Sequence, residues 1–405
     1  TSGGSSVYDT INFVVNPSVV SQAVPSGLQL GINYTSPTAV TLLLNAPYKN
    51  NVYVIGDFND WQLSTSYFMK RDPDGKHWWL EITGLTAGQY YAFQYLVDGN
   101  LKVADPCSEL VLDPWNDEYI PPTTFPDLPD YPSGKTTGIT SLFMANKPPY
   151  TWKETDFNAP KETDLVIYEL LVRDFIAAHD YQTLIDTLDY LENLGINAIQ
   201  FMPVNEFEGN ESWGYNPSFH MALDKYYGTP ESFKILIDEC HRRGIAVILD
   251  VVYNHAFSQS PLCQLYWDPT NSKPNSSNPF ANPDAKHDFN VGYDLNHESP
   301  DFRAFLKRCL QYWLAEYHVD GFRFDLSKGF TQNNTIGNVE AWGNYDASRV
   351  ANLKRIQAEM RAVNPNAYVI LEHFGDNDEE KELANSGMML WGNLNHEYSE
   401  AAMGY

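Results

Sequence analysis

The chain has 405 residues, of which 43% are hydrophobic and 14% aromatic, and its formal net charge at pH 7 is −26. This length exceeds what a single compact core usually supports, so we expect two domains. The acidic charge argues against nucleic acid as a partner, and no stretch approaches the roughly 20 apolar residues of a transmembrane helix.

The first domain is predicted from short runs in which apolar and polar residues alternate. The chain starts at Thr1 without Met or a signal peptide, so we expect a processed form of an exported protein. After an N-terminal segment, residues 1–25, the alternating runs fill residues 26–120 and predict an all-β, immunoglobulin-like sandwich. Residues 121–163 are rich in Pro and Thr and lack periodicity, which predicts a linker.

From residue 164 to residue 405, apolar runs alternate with helical segments, which is typical of βα units around a parallel sheet. Helix starts are indicated by Thr229-Pro230 and Ser299-Pro300, and helix ends by Gly195 and Gly244. We therefore predict a (β/α)₈ TIM barrel. Its candidate strands are LVIYELLV, AIQFMPV, IAVILDVV, VDGFRFD, AYVILE and MMLWGNL.

Polar residues follow three consecutive predicted strands, where a barrel places its active site. The third strand ends at Asp250, the fourth at Arg323 and Asp325, and the fifth at Glu372. Two carboxylates on neighbouring strands suit retaining glycoside cleavage, which needs a nucleophile and an acid about 5–5.5 Å apart. Arg323 would keep Asp325 ionised, whereas Glu372 needs an environment that raises its pKa.

Three motifs carry a resemblance to a known family. DVVYNH at 250–255, GFRFD at 321–325 and ILE at 370–372 resemble signature regions of the α-amylase family, glycoside hydrolase family thirteen, in the family's order. SWGYNPS at 212–218 is similar to a segment of its branching and debranching members. The resemblance covers residues 164–394 and implies that Asp325 is the nucleophile and Glu372 the proton donor, with Arg323 holding the nucleophile and Asp250 supporting Arg323.

The same resemblance implies roles for three further residues. Tyr215 would stack under the sugar at the cleaved bond, and His255 would hydrogen-bond that sugar's primary hydroxyl. Asn254 would be a calcium ligand, as the matching residue is in many family members, although relatives with this layout often lack the ion. No cofactor is otherwise implied.

The predicted sandwich also resembles a known module. VYVIGDFNDW at 52–61 and YYAFQYLVDG at 90–99 look like the family forty-eight carbohydrate-binding module, which precedes the barrel in branching enzymes, isoamylases and pullulanases. In many such modules the sugar site is degenerate. We therefore expect Trp61, Trp78 and Trp79 to be core or inter-domain residues.

The family's third carboxylate, the Asp of a His-Asp pair, has no clear counterpart. Asn395-His396-Glu397 mimics it, but it lies one βα unit after Glu372, so we interpret it as the end of strand six. We expect the last two strands and the third carboxylate to lie beyond Tyr405.

The residues predict a retaining glycosidase that cleaves α-1,4-glucosidic bonds of starch-like or glycogen-like α-glucans. Two alternatives share this chemistry: a glucan branching enzyme, which transfers the glycosyl group to a sugar hydroxyl, and a debranching enzyme, which cleaves α-1,6 bonds. A non-catalytic glucan-binding protein is the alternative from another class. The readable carboxylates, with their supporting Arg, His and Tyr, argue against it.

Overall fold

The computed structural model describes residues 15–392 and 394–404. Residues 1–14 of the predicted N-terminal segment lie outside the described residues, and the rest of that segment runs along Arg71, whose carbonyl accepts from Gln22 N–H at 2.9 Å. Antiparallel strands follow. They are β1 Gly31–Ser36, β2 Ala39–Asn45, β3 Val52–Gly56, β4 Lys70–Arg71, β5 His77–Thr83, β6 Tyr90–Val97, β7 Leu101–Val103, β8 Val111–Leu112 and β9 Thr140–Met144.

These strands form the predicted all-β region as two sheets. One has the order β1-β2-β5-β4, and the other has the order β3-β6-β9-β8 with β7 paired to β6. Every residue of β2 and β3 is buried. Trp61, Trp78 and Trp79 are also buried, and their indole N–H groups donate to Asp57, Ala46 and Gln22, respectively. They are structural residues of this region, as predicted.

The segment predicted as a linker contains a strand. β9 lies inside residues 121–163 and pairs antiparallel with both β6 and β8, with Phe143 opposite Tyr91. The strand is only five residues long and follows a Pro-rich stretch, so its alternation is too short to stand out in the sequence. The prediction of a linker is therefore wrong for residues 140–144.

The six strands predicted for the second part form one parallel sheet in chain order. In the described residues this sheet is open, with the first and last strands at its edges. Two short antiparallel pairs of strands lie in the long loop after the third strand, His255–Ala256 with Tyr293–Asp294 and Trp267–Asp268 with Lys273–Pro274. The strands are β10 Ile167–Leu170, β11 Ala198–Phe201, β12 Ala246–Val251, β13 His255–Ala256, β14 Trp267–Asp268, β15 Lys273–Pro274, β16 Tyr293–Asp294, β17 Gly321–Phe324, β18 Tyr368–Leu371 and β19 Met389–Leu390.

The register of the sheet determines which residues meet at its carboxyl end. Asp250 of β12 pairs with Arg323 of β17, and Phe324 pairs with Leu371, so the residues that follow them, Asp325 and Glu372, are also neighbours. Gly321 permits the close approach of β17 to β18, because a β-carbon there would lie 2.4 Å from the Tyr368 carbonyl oxygen.

Helices connect the strands and begin and end at the predicted signals. Thr229 caps the helix that begins at Pro230, and Ser299 caps the helix that begins at Pro300. Gly195 and Gly244 have positive φ at helix ends. No helix in the described part of the chain has the length and apolar character needed to cross a bilayer. The helices are α1 Val172–Phe175, α2 Tyr181–Leu194, α3 Pro230–Arg242, α4 Pro261–Gln264, α5 Pro300–Glu316, α6 Val339–Gly343, α7 Ala347–Arg361, α8 Asn377–Asn385 and α9 Asn395–Met403.

The segment Asn395 to Glu397 does not end a strand. β19 stops at Leu390, and Asn395 begins α9, with Glu397 in its first turn. An acidic residue there is favoured by the partial positive charge of the helix N-terminus. The predicted position of this segment at the end of strand six is therefore wrong.

Helix α5 connects the two parts of the molecule. At its first turn Asp301 accepts hydrogen bonds from Asn45 at 3.1 Å and from Lys76 at 3.2 Å, and further along Arg308 donates to the Leu30 carbonyl at 3.1 Å. The apolar residues of α5, among them Phe302, Leu306 and Trp313, are buried. Helix α5 therefore packs into the hydrophobic core and hydrogen-bonds to the N-terminal all-β region.

Candidate active site

One arginine joins the carboxylates at the carboxyl end of the parallel sheet. Arg323 is 3% exposed, and its Nη1 donates to both oxygens of Asp250, at 2.8 and 3.0 Å, and to Asp325 Oδ1 at 3.0 Å. Its Nη2 lies 3.0 Å from Glu372 Oε2. The four residues predicted from the strand ends are thus brought together around one guanidinium group.

The turn after β17 holds Glu372 in place. Leu326 adopts a left-handed conformation with φ 48°, which residues other than Gly, Asn and Asp seldom adopt. In this conformation its N–H donates to Glu372 Oε2 at 2.9 Å. Ser327 donates to the Glu372 carbonyl from both its N–H, at 3.0 Å, and its hydroxyl, at 2.8 Å. The backbone next to Asp325 therefore fixes Glu372.

A buried chain of hydrogen bonds continues from this turn to α8. Ser327 Oγ lies 3.0 Å from His373 Nδ1, and His373 Nε2 lies 2.8 Å from Glu379 Oε1. Arg349 donates to both Glu379 oxygens, at 2.6 and 2.7 Å. Because Glu379 and Arg349 are almost fully buried, this ion pair anchors His373 and, through Ser327, the backbone of Glu372.

Replacing Glu379 tests whether this chain positions Glu372. We expect Glu379→Gln to lower kcat/KM on α-glucan roughly 10–100-fold, since small misplacements of a catalytic group cost about this much. The kcat/KM on α-glucosyl fluoride should change little, because fluoride leaves without a proton donor. Glu382→Gln on the same helix changes only surface contacts, with Lys354 and with the Tyr345 hydroxyl, and is the matched control. Equal losses on both substrates would indicate general structural damage instead.

The electrostatics of the site depend on burial as well as on Arg323. Burial raises the pKa of Asp325 to about 6, and the Glu372 carboxyl acts in the same direction, whereas Arg323 acts against both. Burial also raises the pKa of Asp250 to about 7 despite its bonds to Arg323. Arg323 was predicted to keep Asp325 ionised, and its charge does lower this pKa. The effect of desolvation on the pKa of Asp325 is larger than the effect of Arg323, because one guanidinium group is shared by several carboxyl groups.

Tyr215 and His255 lie beside Asp250. The Tyr215 hydroxyl donates to Asp250 Oδ2 at 2.8 Å, and His255 Nε2 lies 2.9 Å from the Tyr215 carbonyl oxygen. Burial lowers the pKa of His255 to about 4, so the ring is neutral and Nε2 carries its proton. His255 Nδ1 lies 3.2 Å from the Asn254 amide nitrogen. Both ring nitrogens are engaged within the protein, so in this structure His255 positions Tyr215 rather than presenting a free donor to a sugar.

Asn254 does not occupy a site that fits calcium. Its side-chain oxygen lies 3.1 Å from His287 Nε2, and its amide donates to Asn290 Oδ1 at 3.0 Å. Gly329 packs so closely that a β-carbon there would lie 1.8 Å from the Asn254 oxygen. Calcium takes six to eight oxygen ligands, and this oxygen faces an imidazole in a filled space. The arrangement therefore argues against the predicted metal role.

Sequence reasoning missed several residues of the site. It did not find Leu326, Ser327, Glu379 or Arg349, whose roles depend on a turn and on helix packing. Trp391 was also missed: it lies inside the sixth predicted run, directly after the observed strand β19, and its ring lies 4.1 Å from the Arg323 guanidinium carbon. The rule that strand ends carry the site could have identified this tryptophan.

A parallel sheet that carries an aspartate, a glutamate and their shared arginine at its carboxyl end is the arrangement of carboxylate glycosidases on barrels. The comparison with known families specifies the group. Residues 157–405 match the alpha-amylase catalytic domain, and the chain belongs to the α-amylase family.

Relatives within the family have several activities. The chain is 30% identical over 268 residues to a malto-oligosyltrehalose trehalohydrolase of Saccharolobus solfataricus, a match that covers 66% of the chain and 41% of the relative. It is 29% identical over 351 residues to a 1,4-alpha-glucan branching enzyme of Cupriavidus pinatubonensis, covering 81% and 44%. The chain thus spans less than half the length of these curated relatives.

A solved structure supports the fold. The pullulanase of Paenibacillus barengoltzii superposes with a TM-score of 0.65 at 20% identity, over 89% of this chain and 56% of the pullulanase. At this identity the likeness concerns the fold alone. It agrees with the catalytic barrel of the family and with the all-β region that precedes it.

Proposed function

We propose that this protein is a retaining glycosidase that hydrolyses α-1,4-glucosidic bonds of starch-like or glycogen-like α-glucans. The observation that carries the proposal is the group around Arg323, in which Asp325 and Glu372 each lie 3.0 Å from a guanidinium nitrogen. Family membership supplies the substrate class. Export of the protein stays a prediction.

In this mechanism Asp325 attacks the anomeric carbon while Glu372 protonates the departing glycosidic oxygen. The bond to the leaving sugar breaks as the bond to the Asp325 oxygen forms, which gives a glycosyl-enzyme. Glu372, now ionised, takes a proton from water, and the water oxygen attacks the anomeric carbon and releases Asp325. Arg323 orients both carboxylates, and the Leu326 N–H holds the Glu372 carboxyl in position.

Branching is the second candidate function. The match to the branching enzyme covers 81% of the chain, more than the residues 157–405 of the catalytic-domain match, so it includes part of the N-terminal region. A branching enzyme would pass the same glycosyl group to a sugar hydroxyl instead of water. The difference lies in which acceptor reaches the glycosyl-enzyme.

Product analysis tests the proposal. The protein, at the length in which the cell makes it, is incubated with amylose and separately with pullulan. Hydrolysis of α-1,4 bonds releases new reducing ends from amylose. New α-1,6 linkages without an increase in the number of reducing ends would indicate branching. Release of maltotriose from pullulan would indicate debranching. Absence of any change in either glucan would contradict the proposal.

The pKa of Asp325 predicts the acidic limb of the pH profile. Its pKa, raised to about 6, means that the nucleophile loses its charge as the pH falls through 6. We expect kcat/KM on amylose to fall about tenfold for each pH unit below 6. Glucan binding, measured in parallel, should change much less. An activity that stays constant down to pH 4 would contradict the predicted environment of Asp325.

A further inference from the structure

A buried lysine joins the N-terminal all-β region to the loop that carries Tyr215. Lys225 is 1% exposed, and its Nζ donates to Glu206 Oε1 at 2.7 Å and lies 3.2 Å from Asp117 Oδ1. Lys225 and Glu206 lie between β11 and α3, whereas Asp117 follows β8 of the all-β region. Because a buried ammonium group needs carboxylates around it to offset the loss of water, this ion cluster links the two parts of the molecule.

Glu206 is also tied through its backbone to the segment next to Tyr215. The Glu206 carbonyl accepts from the Ser218 N–H at 3.0 Å and from the Ser218 hydroxyl at 3.1 Å. Further along the loop, the Glu208 N–H donates to the Asn216 carbonyl at 3.1 Å, and the Asn216 side-chain amide donates to the Glu208 carbonyl at 2.8 Å. Tyr215 directly precedes Asn216, so these bonds connect the position of Glu206 to that of the tyrosine.

The all-β region contacts the same loop at a second point. The Asn116 carbonyl accepts from the Asn210 side-chain amide at 2.9 Å. Asp117, the next residue, is itself held in place, because its Oδ2 accepts from the Asp113 N–H at 2.8 Å. Two consecutive residues of the all-β region therefore contact the loop, one at Asn210 and the other through the buried lysine.

We propose that Asp117 is a positioning residue for the glycosidase reaction, although it belongs to the all-β region. It acts through the ion pair of Lys225 with Glu206, which holds the base of the loop. At the other end of this path, the Tyr215 hydroxyl donates to Asp250 Oδ2 at 2.8 Å. This role of Asp117 rests on the proposed function and on the contact with the sugar at the cleaved bond that the resemblance implies for Tyr215.

Asp117→Ala separates this role from assistance to the proton donor. We expect kcat/KM to fall roughly tenfold on both α-glucan and α-glucosyl fluoride, since a small misplacement of a group that contacts the substrate costs about this much. The fluoride occupies the place of the sugar above Tyr215 and needs no proton donor, so its cleavage should not be spared. Glu206 still pairs with Lys225 in this variant. Glu118→Ala, which changes the exposed neighbour of Asp117, is the matched control.

A double-mutant cycle provides a readout that general damage to the fold would not give. In the Tyr215→Ala protein, at its natural length, Asp117→Ala should cause no further loss on α-glucosyl fluoride, because the residue through which it acts is gone. Asp117→Asn, which keeps the size of the side chain, is measured in the same cycle if the alanine variant does not fold. Additive losses, an unchanged kcat/KM, or a loss confined to α-glucan would overturn the role of Asp117. If the unaltered protein cleaves no α-glucan, the proposed function itself fails.

Discussion

Asp325→Asn should lower turnover on α-glucan by more than about 10⁴-fold, because the amide cannot form the glycosyl-enzyme. Glu372→Gln should lower it roughly 10²–10⁴-fold, which is the usual contribution of a general acid and base. The affinity for glucan should be largely retained in both variants, since each amide side chain has the same size and shape as the carboxylate that it replaces. Steady-state rates and calorimetry on the purified variants provide the comparison.

The two variants should respond differently to added reagents. Azide attacks a glycosyl-enzyme without base catalysis, so it should restore part of the Glu372→Gln activity on α-glucosyl fluoride and none of the Asp325→Asn activity. Glu397→Gln, an exposed position on α9, is the matched control and should retain normal turnover. Near-normal activity of Asp325→Asn would rule out the assigned nucleophile.

Arg323→Met should destabilise the protein by about 3–5 kcal/mol at pH 8, because it leaves several buried carboxylates without their cation. Burial already raises the pKa of Asp325 and Asp250 to about 6 and about 7, and loss of Arg323 raises both further. A carboxyl whose pKa is higher in the folded protein than in the unfolded chain is protonated in both states at low pH and then costs no stability. The cost grows as the pH rises above the unfolded-state pKa, and it is largest above the folded-state pKa. The loss should therefore shrink as the pH falls from 8 towards 4.

Urea unfolding at several pH values measures this loss. Arg242→Met is the matched control, because Arg242 is 60% exposed and pairs with Glu239 on the surface, where a salt bridge contributes little to stability. A deficit for Arg323→Met that is the same at pH 5 and pH 8 would show that the arginine acts through packing rather than charge.

The sequence predicted the sheet and the centre of the site for one physical reason. Buried parallel strands read as continuous apolar runs, and parallel pairing brings the residues after each run to one edge. Asp250, Arg323, Asp325 and Glu372 each follow or end such a run, so their meeting required no knowledge of side-chain packing. The caps of α3 and α5 could be predicted in the same way, because each depends only on residues that are adjacent in the sequence.

Features that depend on contacts between distant segments could not be predicted from the sequence. The roles of Glu379 and Arg349 come from packing α8 against α7, and neither residue has a motif of its own. His255 was expected to face the sugar, but its orientation depends on the Tyr215 carbonyl and on Asn254. The raised pKa of Asp325 likewise depends on burial, which a strand-end pattern does not measure.

The place of β9 in the sandwich has an evolutionary and practical consequence. The strand that pairs with both β6 and β8 is formed by residues 140–144. The smallest unit that could be exchanged between proteins by recombination therefore extends past residue 120. A chimaera joined at residue 120 would contain β6 and β8 but would lack β9, the strand between them. The sheet edge exposed in this way would be prone to self-association. A junction after Met144 keeps that sheet whole, so grafting of this module onto another barrel should succeed only from there onward.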